Sequence, residues 1–170
     1  MDSSYYKNYL GLLPMTSIEL QRCTSPRVEL GFHVTWKMAQ TGLLIGMAIP
    51  AVLCGVVNKV PRSNLFYCTK LGGLYGTAIG TALGPPIAGA FLWRKKFSDD
   101  ECYERCHRLR LNRGQIWIDR SMVLGSATGA TAGVCYGEAL FGACAGGVGG
   151  ITLMSVAVLA GLVGKKQKKV

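Results

Sequence analysis

Four long blocks of apolar and small residues, free of charged side chains, dominate the chain. They are MAQTGLLIGMAIPAVLCGVV (38–57), LGGLYGTAIGTALGPPIAGAFLW (71–93), SMVLGSATGATAGVCYG (121–137) and ALFGACAGGVGGITLMSVAVLAGLVG (139–164). A helix needs about 20 mostly apolar residues to cross a bilayer. Three blocks reach that length, and the third reaches its lower limit. The pattern predicts an all-α membrane protein with four transmembrane helices, at about 37–57, 71–93, 117–137 and 139–164. The alternative is a glycine-rich buried core in a soluble protein.

The polar segments set the domain organisation. We expect an N-terminal surface segment at 1–36, a four-helix transmembrane domain at 37–164 and a Lys-rich tail at 165–170. Helix 1 is expected from about Thr35, with Trp36 and Lys37 as interface anchors. Proline disrupts helices, so we predict that Pro85 and Pro86 bend or interrupt helix 2 near its far end.

The longest polar segment lies between the second and third blocks. It begins with SDDE (98–101), the pattern of a capping box in which Ser98 and Glu101 satisfy each other's backbone amides. Acidic residues follow in the first turn and basic residues in the last, as the helix dipole favours. The segment predicts a short amphipathic helix in this second loop.

Glycines recur every four residues in three of the blocks. Glycine costs about 1 kcal/mol per residue against alanine in a water-exposed helix. Between helices in lipid, however, small residues allow close backbone approach. The ladders therefore predict helix-packing faces, with glycines lining a pore as the alternative. Their members are Gly72, Gly76, Gly80, Gly84, Gly125, Gly129, Gly133, Gly142, Gly146 and Gly150.

Charge is scarce and unevenly placed. Charged residues make up 16% of the chain, and the four blocks contain no Asp, Glu, Lys, Arg or His. Ionisable residues within a membrane mark transport pathways, so their absence argues against an ion-coupled carrier. No nucleophile–base set and no phosphate-binding loop is present. We therefore expect no enzymatic activity, no cofactor and no small-molecule substrate.

Seven cysteines offer candidate disulfides. Cys102 and Cys106 lie one helical turn apart, and either is a candidate partner of Cys23, while Cys135 and Cys144 flank the turn between the third and fourth blocks. Free thiols are the alternative for each. A zinc site would require a second matching pair near CYERCH, which the sequence lacks, so no metal is expected.

Basic residues cluster in the second loop and in the tail. We expect them to contact anionic lipid headgroups or an acidic partner, with a solvated loop surface as the alternative. No aromatic stacking residues or nucleic-acid motif accompany them, so nucleic acid is not an expected partner. The candidates are Arg108, Arg110, Arg113, Lys165 and Lys166.

The segment before and within the third block resembles one mitochondrial inner-membrane family. That family comprises the channel-type subunits of protein-import translocases and a related four-helix accessory subunit of respiratory complex I. Its pattern is an Arg, a spacer, an Asp and glycines four residues apart, matched here by NRGQIWIDRSMVLGSATGATAG through Arg113, Asp119, Gly125, Gly129 and Gly133. Cys23, the cysteines around the last turn and the Lys-rich tail favour the complex I branch.

The resemblance implies a non-catalytic structural subunit of the complex I membrane arm, in the mitochondrial inner membrane. Partners would be other membrane subunits and a phospholipid such as cardiolipin. A channel-type subunit of an import translocase is the alternative. The family orientation places both termini in the intermembrane space. The charge count opposes this, because sixteen of the 19 basic residues share the side of the termini. We follow the family orientation.

Overall fold

A computed structural model describes residues 25–57 and 61–163, and these residues are almost entirely helical. The five helices are α1 (Pro26–Val52), α2 (Arg62–Lys95), α3 (Asp99–Leu111), α4 (Arg113–Val134) and α5 (Ala139–Leu159). A π-helical segment, Leu53–Val57, extends α1. The helical class is therefore as expected. The predicted tail at 165–170 and most of the predicted surface segment lie outside the described residues.

Helix α1 begins well before the expected Thr35. Pro26 occupies its first turn, where a missing backbone N–H costs nothing and the fixed φ suits the helix. The part of the expected surface segment after Ser25 is thus helical. Glu29, Leu30 and His33 are buried there, whereas Val28 and Phe32 are exposed, so one side of this part of α1 packs against the rest of the protein.

Helix α2 runs unbroken through Pro85 and Pro86. Of the two expected outcomes, an interruption of the helix by this pair is wrong, and a bend stays a prediction. Gly84 and Ala88, on either side of the pair, are buried, and Gly84 lies against Thr35 of α1. Tertiary packing of this kind supplies most of a helix's stability in proteins, and here it outweighs the local proline penalty. The helix ends at Lys96, whose φ of 48° is left-handed.

The predicted capping box at the start of α3 is present. The Ser98 side chain accepts a hydrogen bond from the Glu101 backbone at 3.2 Å, and the Glu101 carboxylate accepts one from the Ser98 backbone at 2.9 Å. At the other end, Asn112 alone separates α3 from α4. Its backbone N–H donates to Leu109, and its side chain accepts from the Gln115 backbone at 3.2 Å. One residue thus ends α3 and starts α4.

The helices form two antiparallel hairpins, α1 with α2 and α4 with α5. A small apolar core joins the hairpins, formed by Leu43 and Met47 of α1, Met122 of α4 and Ile151 of α5. Phe66 of α2 and Phe141 of α5 extend it, with ring centroids 4.4 Å apart. Contacts within each hairpin are far more extensive than those between them, so the fold consists of two tightly paired units with a smaller interface.

The prediction of four transmembrane helices is wrong. Among the described residues, two helices are long and apolar enough to cross a membrane, Pro26–Val57 and Ala139–Leu159, with mean hydropathies of 1.9 and 1.7. Only 17% and 11% of their most apolar stretches are buried within the protein. Helices α2 and α4, with 34 and 22 residues, are long enough but not apolar enough to meet the same criteria.

Composition explains the difference. The block at 71–93 is helical throughout, but its six glycines, two threonines, two prolines and one tyrosine lower its hydropathy. The block at 121–137 leaves the helix after Val134. The helix that contains most of it, α4, has 22 residues and is about 33 Å long at 1.5 Å per residue, but Asp119, Arg120 and its glycines and threonines lower its mean hydropathy. The absence of charge is a weaker criterion than apolar content over a sufficient helical length.

Candidate functional site

The glycines of the ladders lie at backbone contacts between helices of the same chain. In the first hairpin, a side chain at Gly76 would overlap the carbonyl oxygen of Gly42, and one at Gly72 would overlap that of Gly46. Gly80 faces the Met38 backbone, and Gly84 faces Thr35. We call this contact line the first seam. It leaves no space for a β-carbon, which explains the glycine spacing in α2.

The second hairpin repeats this arrangement. Gly125 lies against Gly146, and Gly129 against Gly142. At its two ends, Gly133 meets the backbone of Glu138, and Gly150 meets that of Ser121. The Ser121 hydroxyl also donates to the Gly150 carbonyl oxygen at 2.9 Å. We call this the second seam. All ten glycines predicted from the sequence thus occupy the seams, and their partner helix belongs to the same chain.

A buried polar cluster ties the two hairpins together. Asp119 of α4 is 1% exposed. Its Oδ1 accepts hydrogen bonds from Lys37 Nζ at 2.5 Å and from Gln40 Nε2 at 2.7 Å, both on α1. Lys37 Nζ also donates to Gln40 Oε1 at 2.7 Å. The three side chains form a closed triangle in which a full charge on α4 is neutralised by α1.

A second buried ion pair joins α1 to α3. Arg110 Nε donates to Glu29 Oε1, and Arg110 NH2 donates to Glu29 Oε2, each at 2.6 Å. This two-bond geometry is the strongest that arginine makes with a carboxylate. The Arg110 side chain is 2% exposed. The prediction that Arg110 contacts lipid or a partner is therefore wrong. Its guanidinium lies inside the protein and binds Glu29.

Two further ion pairs lie closer to solvent. Lys70 Nζ of α2 is 2.8 Å from Glu138 Oε2, in the turn between α4 and α5. Arg27 Nε of α1 is 2.8 Å from Asp99 Oδ1, at the start of α3. The first pair links α2 to the turn between α4 and α5, and the second links α1 to α3. The helices are therefore connected by ionic contacts at both ends of the molecule.

The other basic candidates are placed differently. Arg108 is exposed and forms an i,i+4 pair with Glu104 at 3.3 Å, and Arg113 is exposed. Both remain available for a partner. Lys165 and Lys166 lie outside the described residues. The structure does not bring Arg108, Arg110 and Arg113 together into one surface patch, because Arg110 points inward.

The candidate cysteines show no predicted bridge in the described residues. Cys102, Cys135 and Cys144 carry free thiols, so the Cys135–Cys144 disulfide is not formed. The Cys106 thiol donates to the Pro26 carbonyl oxygen at 3.1 Å. Cys23 lies outside the described residues, so its pairing stays a prediction. Within 25–57 and 61–163, no three His, Cys, Asp or Glu side chains are arranged to hold a metal ion.

Most of the polar cluster cannot be found by sequence reasoning. Lys37 lies directly before an apolar block, which indicates a lysine at the membrane interface. No local pattern indicates that Glu29 or His33 is buried. Asp119 is indicated only by the family resemblance. The separation along the chain explains this, since Glu29 and Arg110 are 81 residues apart. The remaining signal is weak: a carboxylate and a lysine placed next to otherwise apolar helical segments.

These features define a class of all-helical proteins, in which two glycine-seamed hairpins are joined by buried ion pairs. The chain belongs to the family described as "Protein of unknown function (DUF1757)", whose family model matches residues 5–162. This range includes both seams and the buried polar cluster. Comparison with curated proteins gives no match to the chain.

Proposed function

We propose that this protein is a non-catalytic structural subunit of a membrane complex, and specifically an accessory subunit of the respiratory complex I membrane arm. One observation carries the structural role. The seams place small residues between paired helices and leave large apolar side chains on the outside, including Val56, Leu153 and Leu159, which are 70%, 74% and 87% exposed. Such a surface suits contact with lipid tails or with apolar faces of other subunits.

The internal polar groups support a non-catalytic role. Asp119, Lys37 and Gln40 bond to one another, and Glu29 bonds to Arg110 through both carboxylate oxygens. A catalytic or transport site needs such groups to face a substrate or a water-filled path. Here their hydrogen bonds connect helices, which is the role of a structural framework.

The choice of complex I rests on the sequence resemblance. Its key positions, Arg113, Asp119 and the glycines of α4, occupy an exposed helix start, the polar cluster and the second seam. A motif that fixes α4 against the rest of the fold fits a subunit whose role is structural. This proposal places the protein in the mitochondrial inner membrane, with its termini in the intermembrane space.

An anionic phospholipid such as cardiolipin is the proposed lipid partner. A groove of about 510 Å³ lies beside the end of α2, lined by Arg27, Leu92, Trp93, Lys96 and Phe97. Trp93 is 84% exposed. A tryptophan next to cationic side chains is typical of the membrane interface, where cations attract acidic headgroups. Arg27 is paired with Asp99, so Lys96 supplies the positive charge for a headgroup, and Leu92, Trp93 and Phe97 supply apolar surface for an acyl chain.

The test is the migration of the tagged full chain on native gels of detergent-solubilised mitochondria. We expect it to resist carbonate extraction and to co-migrate with in-gel NADH dehydrogenase activity. Deletion of the gene should lower the amount of assembled complex I. Extraction by carbonate would overturn the membrane assignment. Co-migration with a protein-import translocase, and not with NADH dehydrogenase, would overturn the complex I assignment in favour of the import alternative.

A further inference from the structure

A pair of thiols lies where the two helices of the first hairpin approach their connecting loop. Cys54 belongs to the π-helical segment after α1, and Cys68 lies in the second turn of α2. Pro50 lies against Gly72, and Gly55 lies against Leu65, so the two cysteines lie at the same level of the facing helices. We propose that Cys54 and Cys68 are a reversible thiol–disulfide pair that links α1 to α2 covalently when oxidised. This inference does not depend on the proposed complex I assignment.

The first seam explains why the two cysteines meet. Pro50 packs directly on Gly72, so the helices are still in close contact at that level. Cys54 lies four residues after Pro50, and Cys68 lies four residues before Gly72. Each is thus about one turn further along the same contact. Disulfides need Cα atoms within about 4.4–6.8 Å, and helices whose backbones touch at glycines can reach such distances.

The backbone around Cys54 is also irregular. The segment Leu53–Val57 is π-helical, a conformation often found at functional sites. Gly55 lies within it, and a side chain placed there would be 3.5 Å from Leu65 of α2. This contact keeps the segment that carries Cys54 against α2.

Access distinguishes this pair from the buried cysteines. Cys54 and Cys68 are half-buried, whereas Cys102 and Cys106 are fully buried. Cys54 lies near the end of the apolar segment Pro26–Val57, so a small disulfide such as oxidised glutathione would approach the pair from that end. Thiol exchange requires this access, because the attacking thiolate must align with the disulfide bond that it breaks.

The chemistry is a two-step exchange. One thiol loses its proton, and the thiolate attacks oxidised glutathione, forming a mixed disulfide and releasing one glutathione thiolate, which takes up a proton. The second cysteine thiolate then attacks the mixed disulfide at the cysteine sulfur and releases the second glutathione. Two cysteine thiols are oxidised to one disulfide, and one glutathione disulfide is reduced to two thiols. Excess reduced glutathione reverses both steps.

The sequence makes this bond directly measurable. Trypsin cuts after Lys37, Lys59, Arg62 and Lys70, so Cys54 falls in peptide 38–59 and Cys68 in peptide 63–70. Membranes containing the full chain are equilibrated in glutathione buffers of increasing oxidised fraction, quenched in acid, alkylated and digested. We expect mass spectrometry to detect the linked peptide pair in an amount that rises with the oxidised fraction, and to lose it after dithiothreitol treatment.

Serine variants supply the controls. Cys54→Ser and Cys68→Ser should each abolish the linked pair and retain one additional alkylated thiol in the oxidised sample. Cys135→Ser, a change at an exposed cysteine, should leave the linked pair unchanged. If the wild-type chain instead accumulates glutathione on Cys54 and Cys68 separately at every ratio, the proposal is overturned. A disulfide from either residue to another cysteine would overturn it as well. Both outcomes are measured on the wild-type chain.

Discussion

Arg110 and Glu29 form a two-bond ion pair inside the protein, with both nitrogen–oxygen distances at 2.6 Å. Through this pair the end of α3 is fixed to the start of α1, and α3 leads directly into α4. The pair therefore orients the second hairpin relative to the first. Its energetic consequence differs from that of a surface pair, because removing one partner takes two hydrogen bonds from a charge that stays buried.

Arg110→Ala should lower the free energy of unfolding by about 3–5 kcal/mol, the usual cost of breaking a buried pair. The measurement is denaturant unfolding of the purified protein in detergent. Arg108→Ala is the matched control, because Arg108 pairs with Glu104 at the surface and should cost less than about 1 kcal/mol. Equal losses from the two variants would show that the Arg110 pair makes no special contribution.

The double substitution Glu29→Met with Arg110→Met should be better tolerated than Arg110→Ala. Replacing both members of a buried pair by apolar side chains removes the desolvation cost together with the attraction, and is often neutral or stabilising. The same unfolding measurement applies. A double variant less stable than the single one would indicate that the two side chains have further roles, such as contacts of Glu29 that do not involve Arg110.

Asp119→Ala should destabilise the protein more than Glu138→Ala. Asp119 is almost fully buried and accepts hydrogen bonds from two residues of α1, so its loss should cost about 3–5 kcal/mol. Glu138 is 48% exposed in its pair with Lys70, and solvent screening limits its loss to about 1 kcal/mol. Thermal unfolding followed by circular dichroism gives the comparison, and the reverse order would contradict the assigned role of the cluster.

Gly76→Ala and Gly89→Ala should have opposite effects within the same helix. A methyl group at Gly76 would collide with the Gly42 backbone, whereas nothing lies within 4 Å of one at Gly89. In the helix interior alanine is favoured over glycine by about 1 kcal/mol, so Gly89→Ala should stabilise the isolated chain or leave it unchanged. Gly76→Ala should separate α1 from α2 and lower the melting temperature by several degrees.

The second seam allows the same test with neighbouring residues. Gly146 contacts the Gly125 backbone, whereas a methyl group at Gly149 would have no atom within 4 Å. Gly146→Ala should therefore reduce stability, while Gly149→Ala should not. Protease resistance of the detergent-solubilised protein gives a second readout. Loss of stability from Gly149→Ala alone would mean that the contact at Gly146 is not what holds α4 to α5.

Local signals in the sequence predict the elements that depend on neighbouring residues. The capping box at Ser98 and the glycine spacing in α2, α4 and α5 are readable because each acts within one or two helical turns. The partner of each glycine face is not readable, since close approach does not specify which helix approaches. Gly42 and Gly46 complete the first seam, yet a single pair of glycines in an apolar block gives little indication of it.

Long-range contacts account for the remaining differences. Lys37 binds Asp119 across 82 residues of sequence, and no local pattern distinguishes this arrangement from a lysine at a membrane interface. The count of four membrane spans is wrong for a different reason. It relies on the lack of charge in each block, whereas crossing a bilayer depends on how apolar the whole helix is, and α4 begins at Arg113 and includes Asp119 and Arg120.

Asn112 has a mechanical consequence for the molecule. Because it both caps the end of α3 and starts α4, no flexible linker separates these two helices. A protein that pulled or rotated the exposed side of α3 would transmit that torque to α4, and through the second seam to α5. Helix α3 would then transmit the effect of an external contact to the second hairpin, α4 and α5.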